Sequence, residues 1–480
     1  MRVAIIGSGP TGLFLGAALA RRGHGVTAVD RDPGPGADGS WPRRGVMQFH
    51  HAHAFRGQVP AALRAELPEA YDEWVAGGAE QIRIPRPDGT EVLAGMRSRR
   101  ETFERALRAA AARQPGLELR CGHVDAVLDD GGRARGLRVD GQDLPADLVI
   151  DASGRSGRVT RALRPPPSAG GDTGVAYVDR QYQLHDGAEP GPMVNPIAWQ
   201  AELDGYQVIL FLHERGIFSV LIVRPVDEPD LVHLRRTDVF EAACRAVPGL
   251  ATWTDPDRSR PITDVLTGGA LVNHYRGQTG ADGALALPGL VFVGDAVCTT
   301  TPMFGRGVTT SFLQAREVLR LIDEHGADAV TVGQSFDAWC TANMQPWVDD
   351  HVRMDDTARR LWAGDDLDLD ARLPSNLIMA AVQVDPSIAP ALGPYLSMEA
   401  GPSCLDAVEP RARAVYASGW RPGFDPGPSR RAARGAGPVD RVLDDRFLEG
   451  GSVGGDLREA DGAGVREGPG DRRPHSPDHT

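Results

Sequence analysis

The first thirty residues place the strongest restriction on the fold. Val3 to Ile6 is a short apolar run, GSGPTG follows at residues 7–12, and Leu13, Phe14, Leu15, Ala18 and Leu19 then recur at helical spacing until Gly23 can end the helix. A second apolar run, Val26 to Val29, ends at Asp30. This reads as strand, tight turn, helix, strand: one βαβ unit of a parallel sheet. Gly7 permits the sharp turn, Gly9 lets backbone N–H groups approach a pyrophosphate, and Gly12 lets the helix pack closely on the strand, with the phosphates on the positive helix N-terminus. Asp30 stands 18 residues beyond Gly12, where a carboxylate can accept from ribose hydroxyls. Alone the glycine pattern is weak and also describes a plain glycine-rich turn. Its strand–turn–helix–strand setting makes it a dinucleotide site.

At 480 residues the chain has room for two or three domains. Its formal net charge of -13 removes the basic field that a nucleic-acid binder or an anionic-membrane binder would use. No apolar run approaches the roughly 18 residues of a bilayer span, and MRVAIIGSGP turns glycine-rich too soon for a signal peptide, so a cytoplasmic protein without a membrane span or nucleic-acid partner is expected. Cys121, Cys244, Cys298, Cys340 and Cys404 are widely spaced, which suits reduced thiols better than disulfides or a zinc site. The chain contains no lysine, so all 52 basic residues are arginine; Schiff-base chemistry and a P-loop are excluded.

Further along, the segment QIRIPRPDGTEVLAG from Gln81 alternates about a Pro-Asp-Gly turn, and apolar or alternating runs from Gly174 to Val223 predict an antiparallel sheet. Helical spacing appears from Ser98, over Thr237 to Ala246, over Val308 to Glu324 and over Phe336 to Leu361. The expected division is an FAD-binding domain at 1–79 and 98–164, completed by 286–345, a substrate domain at 80–97 and 165–285, a helical region at 346–420, and a disordered tail at 421–480. The tail is rich in Gly, Pro, Arg and Asp and poor in apolar residues, so it has little with which to offset ordering entropy.

The stretch LVFVGDAVCTTTPMFGRG at 290–307 decides between nicotinamide and flavin dinucleotides. Leu290 to Val293 reads as another buried strand, Asp295 stands at its C-terminal end, and Gly305 and Gly307 precede a helix. Strand ends of an open α/β sheet are where cofactors lie. A carboxylate there can accept from the ribityl hydroxyls of a flavin, while the helix start favours the anionic pyrimidine edge of the reduced ring. The competing reading is that Asp295 only caps the helix.

GSGPTG, Asp30, SRRETFERAL, DLVIDASGR and GDAVCTTTPMFGRG occur in the order seen in the para-hydroxybenzoate-hydroxylase-like, class A flavoprotein monooxygenases, which roughly residues 1–350 resemble. The resemblance implies an α/β fold: a Rossmann-type FAD-binding domain interrupted by an antiparallel-sheet substrate domain that roofs the flavin, then a helical C-terminal portion. It implies FAD contacts at Gly7, Gly9, Pro10, Thr11, Gly12, Asp30, Arg31, Arg44, Arg100, Val124, Gly294, Asp295, Pro302, Gly305, Arg306 and Gly307. Arg100, next to Arg99, matches the family arginine near the pyrophosphate. RRGVMQFHHAHAF is similar to a segment of bacterial flavin epoxidases acting on polyketide polyenes, and DASGR to their middle motif. In that motif Ser153 replaces the aspartate associated with NADPH handling, so electrons would come from NAD(P)H directly or through a separate flavin reductase.

The implied reaction inserts one atom of O2, by way of a flavin C4a-hydroperoxide, into a hydrophobic unsaturated or aromatic natural-product intermediate; the product is an epoxide or an alcohol. The cofactor carries this chemistry, and the protein supplies a dry, orienting chamber. No side chain is required as a nucleophile. Tyr177, Tyr182, Tyr206, Phe211 and Phe218 are candidates for the chamber wall, with alternation placing only some of them on the flavin side. His50, His51 and His53 lack a supporting carboxylate or cysteine at metal spacing, so no metal is expected; an acid or base role for His51 or His53 is open. Two other readings stand: a flavin-dependent reductase of prenyl or other alkenes, and a non-redox cyclase or binding protein with structural FAD. A halogenase would need a lysine and a Trp-x-Trp-x-Ile-Pro segment, and neither is present.

Overall fold

The computed structural model describes residues 1–43, 45–85 and 89–429. Five short apolar strands form its centre: β1 (Arg2–Ile6), β2 (Gly25–Asp30), β3 (Leu117–Cys121), β4 (Leu148–Asp151) and β5 (Leu290–Phe292). All pair in parallel, in the order β5-β4-β1-β2-β3. Register places Ile6 beside both Val29 and Asp151, and Asp151 beside Phe292, so the C-terminal ends of four strands come out along one edge. Helices α1 (Pro10–Arg21), α2 (Arg100–Ala112) and α3 (Gly307–His325) pack on this sheet and on one another. Phe14, Phe103 and Phe312 lock them together, with Phe312 lying 4.6 Å from Phe14 and 5.9 Å from Phe103 between ring centroids. β4 and β5 are buried throughout and β1 from Val3 on, which is why these three read as unbroken apolar runs, whereas the edge strand β3 is partly exposed.

Between β4 and β5 the chain builds a six-stranded antiparallel sheet in the order Ala198–Leu203, Tyr206–Leu212, Ile217–Pro225, Val175–Leu184, Ser259–Pro261, with Leu266–Gly268 also paired to Val175–Leu184. Alternation splits its apolar residues between two cores. Val178, Tyr182, Tyr206, Val208, Leu210, Phe218 and Val220 pack against helices Thr237–Ala246 and Pro248–Thr254. Tyr177, Ile209, Phe211, Leu221 and Val223 face the other way, toward Ala54, Leu271 and Trp362. Tyr206 and Phe218 therefore belong to the sealed rear core and are corrected as chamber-wall candidates: Phe218 stacks on Tyr182 at 5.2 Å and meets Trp253 at 5.0 Å.

Three expectations change. The hairpin expected at 80–97 as part of the substrate domain forms from Glu80–Pro85 and Glu91–Arg97 and pairs with Phe55–Arg56 in a small sheet separate from the six-stranded one; residues 86–88 of its turn lie outside the described residues. The helical pattern from Phe336 to Leu361 is two helices, Ala329–Asn343 and α4 (Gln345–Ala363), because Pro346 has no N–H to continue the ladder and instead takes the first turn of α4. Residues 421–429 are ordered, contrary to the disorder expected from 421. They run along the outer edge of Ala198–Leu203, where Asp425 N–H donates to Glu202 O (2.7 Å), Glu202 N–H donates to Asp425 Oδ2 (2.8 Å) and the Tyr206 hydroxyl donates to Pro428 O (3.1 Å). An edge strand's unpaired backbone groups supply what composition does not show. The rest of the expected tail, 430–480, lies outside the described residues. Among the described residues no helix is long and apolar enough to cross a membrane.

Candidate active site

A cleft opens where the C-terminal ends of β1, β4 and β5 meet the six-stranded sheet. Its lining brings together Gly7, Gly9, Pro10, Thr11 and Asp30 from the first βαβ unit, Arg100 from the start of α2, and Gly294, Asp295, Pro302, Gly305, Arg306 and Gly307 from the loop after β5. Gly294 is the meeting point: a Cβ there would lie 3.3 Å from both Thr11 Oγ1 in the first turn of α1 and Ser311 Oγ, one turn into α3. Neither helix has a side-chain cap or an acidic residue in its first turn. Their free N–H groups and positive dipole ends thus stand unpaired beside one cleft.

Two glycines are required by geometry. Gly7 has φ +100°, and a Cβ there would lie 2.7 Å from Ala152 O; Gly305 has φ +59°, and its Cβ would lie 2.7 Å from that of Ala54. Gly12 does not line the cleft. It is a packing residue, since a Cβ would come 2.0 Å from Gly7 O. By contrast Gly9 has only an arginine tip at 3.9 Å, and Gly307 nothing within 4 Å, so backbone at both helix starts is open to an approaching group.

At the first end, Asp30 accepts from Ser8 N–H (2.8 Å) and Asp32 N–H (3.0 Å), which fixes the glycine turn to the end of β2. Arg43 reaches over this end: it is buried, held at φ +42°, and lies 3.1 Å from Glu104, 3.5 Å from Asp32 and 3.8 Å from Asp30. A positive φ on a non-glycine residue is uncommon and marks a constrained site. Arg100 donates to Gln48 Oε1 (3.4 Å) and pairs with Glu104, whereas Arg99 turns away to Glu214 (2.9 Å); Arg100 is therefore the cleft arginine of the doublet.

At the second end the Asp295 backbone carbonyl accepts from the Thr299 hydroxyl (3.2 Å), whereas its carboxylate accepts from no donor among the described residues, and enclosure pushes that carboxyl above the usual range against the pull of Arg100, Arg155 and Arg164. The loop that follows is braced from behind. Thr301 N–H donates to Asn273 Oδ1 (2.8 Å), and its hydroxyl lies 3.0 Å from His351 Nδ1 and 3.3 Å from Asp355. Arg306 borders the cleft, but its guanidinium is not offered to a cofactor. It is buried over Trp347 (4.6 Å) and Tyr395 (4.7 Å), donates to the Tyr395 hydroxyl and faces Asp350 (3.5 Å).

Under the sheet, Tyr177 lines the cleft and Phe211 shares its face without reaching the wall. His51 and His53 both line the cleft and differ in availability. His53 Nδ1 bonds His51 O (2.9 Å) and its Nε2 faces Arg100 Nη1 (3.3 Å); burial and that guanidinium hold it well below the usual histidine range, so it is a neutral positioning group. His51 lies against Asp179 and edge-on to Tyr177. His50 stays at the rim, 3.9 Å from Glu101. Arg31 is exposed and Val124 is buried in the main core, and neither lines the cleft. Arg44 lies outside the described residues. Sequence reasoning missed Arg43, Gln48, Arg155 and Asp179; the first two stand in the quoted stretch RRGVMQFHHAHAF and Arg155 in DASGR, while Asp179 has no such signal.

The residues fit a flavin dinucleotide: open backbone at Gly9 and Gly307, two uncapped helix starts, and an undonated carboxylate at Asp295 that sugar hydroxyls would satisfy. Residues 2–120 match the family model of the FAD dependent oxidoreductases. The chain thus carries an FAD-dependent oxidoreductase domain in that segment, within a Rossmann-type fold. Among curated relatives, a D-amino acid dehydrogenase of Rhizobium johnstonii is 31% identical over 90 residues, 16% of this chain and 22% of that protein, so the chain spans about a fifth of that relative's length. Among solved structures, the flavin-dependent brominase Bmp2 matches with TM-score 0.58 and 17% identity, over 88% of this chain and 100% of that one. A probable FAD-dependent monooxygenase of Pseudomonas aeruginosa, PqsL, matches with TM-score 0.54 and 16% identity, over 76% and 98%.

Proposed function

We propose that the protein is a FAD-dependent monooxygenase, an epoxidase or hydroxylase that places one oxygen atom from O2 on a hydrophobic unsaturated or aromatic natural-product intermediate. The observation that carries this reading is the convergence at Gly294 of two helix starts, with the apolar sheet face bearing Tyr177 above them. Bound FAD, once reduced, supplies the activation of O2. The α1 start and Gly9 would hold the pyrophosphate, Asp30 a ribose and Asp295 the ribityl chain, while the α3 start stabilises negative charge at the pyrimidine edge of the ring. The sheet excludes water and orients the substrate. Tyr177, whose hydroxyl is pushed up by burial and by Asp179, stays a hydrogen-bond donor at the wall.

Electrons would come from NAD(P)H, directly or through a separate flavin reductase. The second route is favoured by Ser153, whose backbone N–H and hydroxyl both turn back to Asp151. Halogenation, the activity named for Bmp2, is disfavoured by the absence of lysine. The test is to load the protein with FAD, photoreduce it without oxygen, and mix it with labelled O2 and a panel of polyenes and phenols. One labelled atom in the product is the expected result. Saturated, unlabelled product would replace this reading with an alkene reductase, and conversion while the flavin stays oxidised with a cyclase.

A further inference from the structure

On another face of α4 from the one that braces the flavin loop lies a second cavity, of about 140 Å³, that shares no lining residue with the flavin cleft. Arg353, Asp356, Thr357, Arg360 and Leu361 recur at helical spacing and give it one wall. Residues 366–377, which follow the helix, give it the other. His351 and Asp355, the braces of Thr301, are not in the lining. Leu367, Leu373 and Leu377 make one side of the cavity apolar, the last two as buried members of the main core.

Most charged groups in this lining already have partners. Asp366 accepts from Arg421 Nε (2.7 Å) and Nη2 (2.9 Å), and Asp368 accepts from the N–H groups of Asp370 (3.0 Å) and Ala371 (3.2 Å). Arg372 pairs with Asp406, Arg360 faces Asp365 (3.8 Å), and Asp356 is exposed to water. Arg353 is different. It donates no hydrogen bond among the described residues, although its Nε is buried. Its Nη2 stands 3.9 Å from Asp350 Oδ1, beyond hydrogen-bond reach, and that carboxylate is already engaged. Ser375 Oγ donates to Oδ1 (2.6 Å), the Tyr395 hydroxyl donates to Oδ2 (2.8 Å), and Arg306 faces it at 3.5 Å. Asp349 is pushed up by burial against the pull of Arg353, without a hydrogen bond between the two. A guanidinium carries several N–H donors, and where it is partly buried it is ordinarily met by an acceptor.

We propose that this cavity binds a small monocarboxylate with a compact apolar body, its carboxylate on the Arg353 guanidinium and its body against Leu367, Leu373 and Leu377. A planar carboxylate matches the fork of a guanidinium in a charge-assisted pair. An apolar cavity of about 150 Å³ holds a benzene-sized ring, so a body of about six carbons fills this one. Asp356, Asp366 and Asp368 line the same space, so a doubly charged phosphate meets repulsion there that a single negative charge on Arg353 offsets. Water alone is a poor occupant, because an ordered water needs several polar partners and the leucine side offers none. The site is independent of the reaction carried out at the flavin.

The experiment is isothermal titration calorimetry on the full chain loaded with FAD, with cyclohexanecarboxylate as probe and cyclohexanecarboxamide as its neutral counterpart. A saturated ring has no π face to stack on an isoalloxazine, which disfavours the flavin cleft as its resting place. One probe bound per chain is expected, with the amide weaker by about tenfold or more. Arg353→Met keeps an apolar stem and removes the charge, and Thr357→Trp fills the cavity from the α4 wall. Each should weaken carboxylate binding by about tenfold or more, with FAD content unchanged. No saturable binding by the wild type, equal binding of the amide, or undiminished binding to either variant would overturn the proposal, the last because the probe then sits elsewhere on the protein. If one variant loses its flavin, the other decides.

Discussion

At one end of the cleft the grip on the dinucleotide comes from neighbours in sequence; at the other, the roof is assembled from segments far apart in the chain. The tie between Ser8 N–H and Asp30 spans 22 residues, all within one βαβ unit. The tie between Ala52 N–H and Asp179 spans 127 and joins the FAD-binding part of the molecule to the six-stranded sheet. A local unit such as the first carries its geometry in its own pattern of strand, turn and helix. The second exists only when two separately built bodies dock, so its chemistry depends on packing that no short stretch encodes.

Three measurements probe this difference. The largest effect belongs to the rear of the roof: Phe218→Ala removes a ring wholly buried between Tyr182 and Trp253 and should cost about 3–5 kcal/mol in denaturant unfolding. Tyr177→Phe on the opposite face should change stability by less than about 1 kcal/mol. Equal costs would mean that the two faces are not divided between core and cleft. Next, Asp295→Ala should weaken FAD binding at least tenfold, about 1.4 kcal/mol or more, in a fluorescence titration, while Tyr177→Phe binds FAD normally. Undiminished affinity in the Asp295 variant would remove that carboxylate from the cofactor's grip.

The third measurement concerns the brace behind the loop. Asp355 is pushed up to about 6 by burial, with Asn273 and Thr301 pulling the other way. Its folded value lies above the ordinary 3.8, so the stability it contributes is present below 3.8 and is lost as pH rises through about 6. Asp355→Asn should therefore stabilise the protein by about 2 kcal/mol near pH 8 and hardly at all near pH 4. Melting curves at both values check it, and a gain confined to the acid side would be the wrong sign.

Much of the grip on the dinucleotide is legible without coordinates. Gly7, Gly9, Asp30 and Asp295 stand out because each terminates an apolar strand or opens a helix, and the periodicity names both. Arg43 does not, because its importance comes from three carboxylates brought together by the fold. The roof is less legible still. Tyr177 and Phe218 belong to equally apolar strands, and which parity faces the cleft depends on where helices 237–254 dock. Asp179 reads as one polar residue in a strand, with nothing local to say that a histidine waits opposite. The break before α4, which the reading of Phe336 to Leu361 as one segment passed over, has its signal in Pro346, whereas the docking of 421–429 answers an edge strand's needs and leaves no trace in its own composition.

The burial of Arg306 against Trp347, Asp350 and Tyr395 has a consequence for biosynthesis. A nascent chain still short of Tyr395 already contains the glycine turn, β5, the start of α3 and the Asn273, His351 and Asp355 brace, but lacks the Tyr395 side of the cage around Arg306. The helix that carries Tyr395 thus completes the wall behind the cleft only after every residue of the cleft's own lining has been made.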